Sequence, residues 1–152
     1  RDGVISDDKF YLFDENPIKS FNLKDAYALQ LALKKGYRIC IISGSHSEAM
    51  KNRLEILGIS HLFFHQHDKL QCYTDFVSTE KISDEEIVYM GDDLPDYEVM
   101  KRVAVPACPN DAAYEIRSIC KYVSPKNGGE GCVRDIIEQV MRCQGTWEIG
   151  GW

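Results

Sequence analysis

Three carboxylates crowd the segment Gly91-Asp92-Asp93-Leu94-Pro95-Asp96, directly after the apolar run Ile87-Val88-Tyr89-Met90. Acids placed together at the end of a buried strand repel one another and lose hydration. A cation is therefore called for beside them, and hard carboxylate oxygens suit Mg²⁺. Three other places carry residue types that fit the same chemistry: Asp2-Gly3-Val4, Ser43-Gly44 and Lys69. An acid, a hydroxyl beside exposed backbone N–H groups, a lysine and an acid pair make up a phosphoryl-transfer set. The hydroxyl and the lysine hold phosphate oxygens, Mg²⁺ neutralises developing charge, one carboxylate attacks and another moves protons.

Each of these groups needs an element to position it. Strand patterns are predicted at residues 37–42, 61–64, 87–90 and 103–107, with a weaker one at 121–123. Helical periodicity lies between them. Residues 23–35 form one such pattern, closed by Gly36. Met50, Leu54 and Leu57 form another, closed by Gly58. Val133, Ile136, Ile137, Val140 and Met141 give a C-terminal helix a full apolar stripe. Strand and helix in alternation predict an α/β domain, a parallel sheet covered on both faces. The groups named above follow strands, or lie where one would end, so they converge on the C-terminal edge of that sheet. Two regions leave the alternation. Residues 9–21 read as a β-hairpin that turns at Asp14-Glu15-Asn16-Pro17. The tail, 145–152, holds two tryptophans and is expected to dock on another surface.

With 152 residues, 44% of them hydrophobic, the chain fits a single domain, 1–152, with one core. A net charge of −6 without a basic run argues against a nucleic-acid partner. Nothing in the sequence approaches a membrane span or a signal peptide. The six cysteines form no CxxC or zinc spacing and read as small core residues of a protein in the reducing cytoplasm.

Taken in order, Asp2-Gly3-Val4, Ile42-Ser43-Gly44, Lys69 and Gly91-Asp92-Asp93-Leu94-Pro95-Asp96 resemble the four motifs of the haloacid-dehalogenase superfamily of phosphatases. The projecting hairpin, the absence of a large cap insertion and Asn127-Gly128-Gly129-Glu130-Gly131 are similar to its small capless branch. Phe21-Asn22-Leu23-Lys24-Asp25 and the run from Gly91 to Met100 resemble the members of that branch that act on sugar-acid phosphates. The resemblance implies a Rossmann-like sheet, Mg²⁺ as cofactor and hydrolysis through an aspartyl-phosphate. Asp2 matches the second acid of DxDG, the general acid/base that also offers its carbonyl to the metal. Arg1 falls on the x position, so the nucleophilic aspartate is expected before the first residue given, on a strand central in the sheet. Ser43 and Gly44 match the phosphate-binding motif, Lys69 the lysine that neutralises phosphate, and Asp92 the metal-ligating acid. Asp93 matches its partner, which holds a metal-bound water or orients Lys69. The implied substrate is 3-deoxy-D-manno-octulosonate 8-phosphate, a lipopolysaccharide intermediate, with a nonulosonate 9-phosphate as the alternative. The implied assembly is a homotetramer in which hairpins pack between subunits and a neighbour's hairpin or tail closes each site.

Other readings stand beside these. Ser45-His46 occupy a place where many members of the family have an arginine, and Arg53 or Arg134 is expected to supply that charge. Asp92 and Asp93 also suit helix caps, and Asp96 reads equally as a helix-start residue or an active-site organiser. Gly128 and Gly129 face phosphate or sugar at a helix start, or form a simple loop. His61, His65 and His67 read as exposed or polar-contact residues, with substrate contact and a metal site as alternatives. A chain without the nucleophile would be a non-catalytic binding or oligomerisation module. A receiver domain uses similar residues, but it would place an acid at the middle strand end where this chain has Ser43 and Lys69.

Overall fold

The computed structural model describes residues 3–7, 11–13, 16–45, 47–148 and 150. Arg1, Asp2, Asp14, Glu15, His46 and Trp152 lie outside the described residues. Two short strands come first, β1 (Tyr11–Phe13) and β2 (Asn16–Ile18), antiparallel in the register Tyr11↔Ile18, Leu12↔Pro17, Phe13↔Asn16. Of the predicted turn over residues 14–17, Asn16 and Pro17 therefore lie inside β2. A proline fits there because an edge strand can do without its N–H.

The alternation then follows as the periodicity predicts. Helix α1 is Leu23–Lys34, strand β3 Cys40–Ile42, α2 Glu48–Ile56, β4 His61–Phe63 and α3 Lys69–Glu80. After these come β5 (Val88–Met90), α4 (Tyr97–Met100), β6 (Val105–Cys108), α5 (Tyr114–Ile119), β7 (Tyr122–Val123) and α6 (Cys132–Cys143). Strand β3 is shorter than predicted because Tyr37 belongs to the end of α1: its N–H donates to Ala32 O at 3.0 Å. The predicted strand 103–107 starts later for a similar reason, since Val103 is buried with Tyr73, Val77 and Val99 beside α3 and α4. Glycines in the left-handed region follow α1 and α2 as predicted, Gly36 at φ 85° and Gly58 at φ 95°.

Pairing among the described residues gives a parallel β3–β4 ribbon and a parallel sheet in the order β5-β6-β7. Side chains alternate between two packed faces, as strand geometry requires. Ile39, Ile41 and Met90 pack with Leu29, Leu54, Ile59 and Val133 on the side of α1, α2 and α6. Ile42, Ile87 and Tyr89 pack with Val77 and Val99 on the side of α3 and α4. Both β3 and β5 line a cavity of about 900 Å³, together with Val4, Ile5 and the α6 stripe, and Lys69, Asp92 and Asp96 also border it.

Helices α1 and α6 pack side by side, and a polar joint fixes their relative height. Asp25, in the first turn of α1, is fully buried and accepts from the Arg134 N–H in the first turn of α6 at 2.7 Å. Its second oxygen, Oδ2, has no hydrogen-bond partner. Burial outweighs the help from Arg134 and lifts the Asp25 carboxyl to about 6. The neutral form is thus favoured in the fold. Its stabilising contribution is present below the unfolded value of 3.8 and is lost as pH rises through 6. That loss is about 3 kcal/mol. Asp25→Asn keeps an acceptor for Arg134 and removes the ionisation. Urea unfolding from pH 4 to 8 should show the wild-type decline between pH 4 and 6 flattened in the variant, with a gain of about 1–2 kcal/mol at pH 7.5. An unchanged pH profile would refute the assignment.

Candidate functional site

Three loops meet at the C-terminal ends of β3, β4 and β5. Ser43 extends β3: its N–H donates to Phe63 O at 2.8 Å, and its carbonyl accepts from Gln66 N at 2.9 Å. Ser43 is buried, and Ser45 N donates to its Oγ at 3.1 Å, so the turn wraps around the hydroxyl. A second hydroxyl lies close by, Ser45 Oγ at 3.2 Å from Ser43 Oγ.

After β4, Asp68 caps α3 by accepting from Gln71 N at 2.9 Å, which makes Lys69 the first helical residue. Lys69 is only 7% exposed. Its Nζ lies 2.7 Å from Asp96 Oδ1, and Asp96 is 2% exposed. The same Oδ1 accepts from the Tyr89 hydroxyl at 2.7 Å, while Asp92 N donates weakly to Oδ2 at 3.4 Å. Burial first, and then the Asp96 charge, hold the Tyr89 phenol far above its ordinary range, so it stays a donor. Asp96 therefore orients Lys69, in keeping with the organiser reading of that residue, and Asp93 lines a small cavity together with Lys69. Gly91 makes the arrangement possible: a Cβ there would stand 2.5 Å from Asp96 Cβ and 2.8 Å from Met100 Sδ.

Asp92 is a buried carboxylate at the same edge, with its carbonyl accepting from Ala113 N at 2.9 Å. Asp93 opens the 3-10 turn Leu94–Asp96 without a side-chain cap bond. Among the described residues no cluster of three or more His, Cys, Asp or Glu is placed to hold a metal. Asp2, the other expected ligand, lies outside the described residues. A buried carboxylate with oxygen-only donor chemistry fits Mg²⁺ rather than a softer ion. A small cavity of about 140 Å³ beside these groups is lined by Gly44, Gln66, His67, Lys69, Asp93 and Asp96.

Several predicted residues lie elsewhere. Arg134 has its guanidinium 5.6 Å from the ring centroids of both Tyr27 and Trp147, and its Nε 3.6 Å from Glu138, on the α1–α6 face. Arg53 stacks over Phe21 at 5.8 Å. Neither lines the small cavity. Gly128 and Gly129 have a reason other than phosphate. A Cβ on Gly128 would overlap Gly3 O, one on Gly129 would meet Asp7 N at 2.4 Å, and Gly129 N donates to Val4 O at 2.9 Å. The two glycines let the loop lie flat on the segment that follows Asp2. Asn22 Nδ2 ties the same loop to α1 through Gly129 O at 3.3 Å, and Asp111 Oδ1 accepts from Gly128 N at 2.9 Å.

The histidines are spread out. His61 packs edge-on against Phe76 at 5.1 Å, His65 sits in a left-handed bend at φ 57°, and His67 borders the small cavity. Of the tail, Trp147 packs against Leu31, Ala32 and Met141, and Glu148 pairs with Lys35 at 2.6 Å. Sequence reasoning missed Lys19, whose Nζ donates to Ser45 Oγ at 3.1 Å. No spacing rule connects a residue at the foot of a hairpin with a turn after a later strand.

The haloacid dehalogenase-like hydrolase family profile matches residues 58–136. The chain is 32% identical over 148 residues to 3-deoxy-D-manno-octulosonate 8-phosphate phosphatase of Yersinia pestis, covering 97% of this chain and 79% of that one. It is 33% identical to the enzyme of the same name from Escherichia coli strain K12, covering 95% and 77%. The crystal structure of the Yersinia pestis protein superposes with a TM-score of 0.92 over 95% of this chain and 79% of that one. The Moraxella catarrhalis phosphatase of that name, in complex with magnesium ion, phosphate ion and a KDO molecule, is 30% identical. It superposes at 0.91 and covers 95% of this chain and 83% of its own.

The Gly91 contact yields a stability test. Asp96→Ala strands a buried ammonium and should cost about 3–5 kcal/mol, whereas Tyr89→Phe should cost about 1 kcal/mol. Gly91→Ala displaces Asp96, so its cost and that of Asp96→Ala should overlap in the double variant. Urea denaturation of the wild type, the three single variants and the double variant measures this. Fully additive costs would show that Gly91 acts independently of the pair.

Proposed function

The chain belongs to the haloacid dehalogenase-like hydrolases, and from that premise we propose that it is a Mg²⁺-dependent phosphate monoester hydrolase whose substrate is 3-deoxy-D-manno-octulosonate 8-phosphate. The observation that carries the reading is the placement of the Ser43 hydroxyl, the buried Lys69–Asp96 pair and the buried Asp92 carboxylate at the C-terminal ends of β3, β4 and β5. The names of its relatives support the substrate. In this reading the product is a lipopolysaccharide precursor made in the cytoplasm.

The residues divide the work as follows. Ser43 Oγ and Gly44 N–H donate to phosphoryl oxygens, and the Lys69 ammonium, fixed by Asp96, neutralises them. Asp92 and Asp2 would hold Mg²⁺, which supplies charge neutralisation when bound. The nucleophile is an aspartate ahead of Arg1. Its strand would lie between β3 and β5, a position supported by the cavity that both strands border beside Lys69, Asp92 and Asp96. Its carboxylate oxygen attacks phosphorus as the bond to the sugar oxygen breaks, and Asp2 gives that oxygen a proton. Asp2 then takes a proton from water, the water oxygen attacks the aspartyl-phosphate, and phosphate leaves with the carboxylate restored. Gly3 packed under Gly128 holds the start of the segment 3–7 against the loop 127–131. A nonulosonate 9-phosphate is the second reading, favoured by Ser45 at the place of the expected arginine.

A chain bearing aspartate before Arg1 should release phosphate from the octulosonate ester only with Mg²⁺, and chelation should abolish the release. Lys69→Met should lower kcat/KM about 10²- to 10³-fold. No turnover by that chain would end the enzyme reading, and a higher kcat/KM for the nine-carbon ester would move the substrate. We further propose a homotetramer with hairpin 9–21 between subunits. Pairing of β1 and β2 only with each other, among the described residues, supports it. Sedimentation equilibrium should read four copies, and a monomer would exclude it.

A further inference from the structure

A phosphate monoester dianion at Ser43 meets a lysine whose charge is already shared. Lys69 lies 2.7 Å from Asp96, so the pair offers the ligand less than a full positive charge. Ser45 is neutral where the family resemblance leads one to expect a cation. Arg134 and Arg53 are stacked on aromatic rings.

Lys19 reaches this place from another element. It follows β2 at the foot of the hairpin, and its Nζ donates to Ser45 Oγ at 3.1 Å. Ser45 Oγ lies 3.2 Å from Ser43 Oγ, and Ser45 N donates to that oxygen at 3.1 Å. Two successive contacts thus connect the Lys19 ammonium to the hydroxyl that receives phosphate. Lys19 and Ser45 are both half-buried. An ammonium in partly dehydrated surroundings binds an anion more strongly than one in water. A phosphoryl oxygen at Ser43 would be a stronger acceptor for it than the Ser45 hydroxyl.

We propose that Lys19 grips the phosphoryl group. When a monoester dianion or inorganic phosphate occupies the Ser43 site, the Lys19 ammonium takes a non-bridging phosphate oxygen. The phosphoryl group is then held between Lys69 and Lys19. This rests on the reading of Ser43 and Lys69 as the phosphate site. It gives Lys19 the charge sought in Arg53 or Arg134, and it makes the hairpin part of its own chain's site.

The test is a titration of the chain with inorganic phosphate in Mg²⁺, followed by ³¹P NMR, for wild type, Lys19→Met and Lys19→Arg, with melting curves as a control for folding. Lys19→Met should weaken phosphate binding roughly 10- to 100-fold. Lys19→Arg should stay within about threefold of wild type, because it keeps the charge. Unchanged binding in Lys19→Met overturns the proposal, as does equal loss in both variants, which would mark Lys19 as a brace for Ser45. Wild-type protein that binds no phosphate refutes the phosphate site itself, and the proposal with it.

Discussion

The buried pair Lys69–Asp96 is the constraint around which the site is arranged. A lysine at the first position of a helix sits at the positive end of the helix dipole, and burial adds to the strain on its charge. Such a residue is tolerable only with a carboxylate on it, and Asp96 supplies one from the 3-10 turn after β5. Asp96 can fold back that far only because Gly91 has no side chain, and one of its oxygens is further held by Tyr89. Replacing a pair of this kind with apolar residues often costs a fold nothing. Its value lies in position: it fixes an ammonium at the sheet edge, beside Ser43 and Asp92, at a height no flexible surface lysine would keep.

Around that pair, polar side chains serve as joints between backbone segments. Asn22 both caps α1 and holds the Gly129 carbonyl. Asp25 receives the start of α6, Asp111 receives Gly128, and Asp135 accepts from Tyr122 and Ser124, each at 2.7 Å. The 127–131 loop is thereby clamped on residues 3–7, and the chain next to Asp2 is held without any helix or strand of its own.

The sheet, its helices and the convergence of Ser43, Lys69 and Asp92 were legible because they follow from local rules: alternation of apolar residues, glycine at helix ends, and the edge where parallel strands end. What escaped depended on contacts distant in sequence. Asp96 had two local readings, and only the position of Lys69 chooses between them. Gly128 and Gly129 read equally as a ligand-facing or a simple loop, since a clash with Gly3 and Asp7 leaves no mark on composition. Arg134 was read by its charge, while its stacking on Tyr27 and Trp147 depends on how α1 meets the tail. Lys19 showed no signal, because nothing in a hairpin foretells which turn its foot will touch. Asp2, the residue on which the acid–base argument turns, lies outside the described residues.

The division of the strands has a consequence for how the molecule comes together. The β3–β4 ribbon and the β5-β6-β7 sheet each pair strands separated by a single helix, so each can form from short-range contacts. Ser43 and Lys69 belong to the first unit, and Asp92 and Asp96 to the second. Neither unit holds a complete set. Ile41 and Met90 share one core and Ile42 and Tyr89 the other, and the Lys69–Asp96 pair joins the two groups at the site. A ligand that touches both Ser43 and Asp92 would therefore draw on both groups of strands at once, and its binding would read how well they are held together.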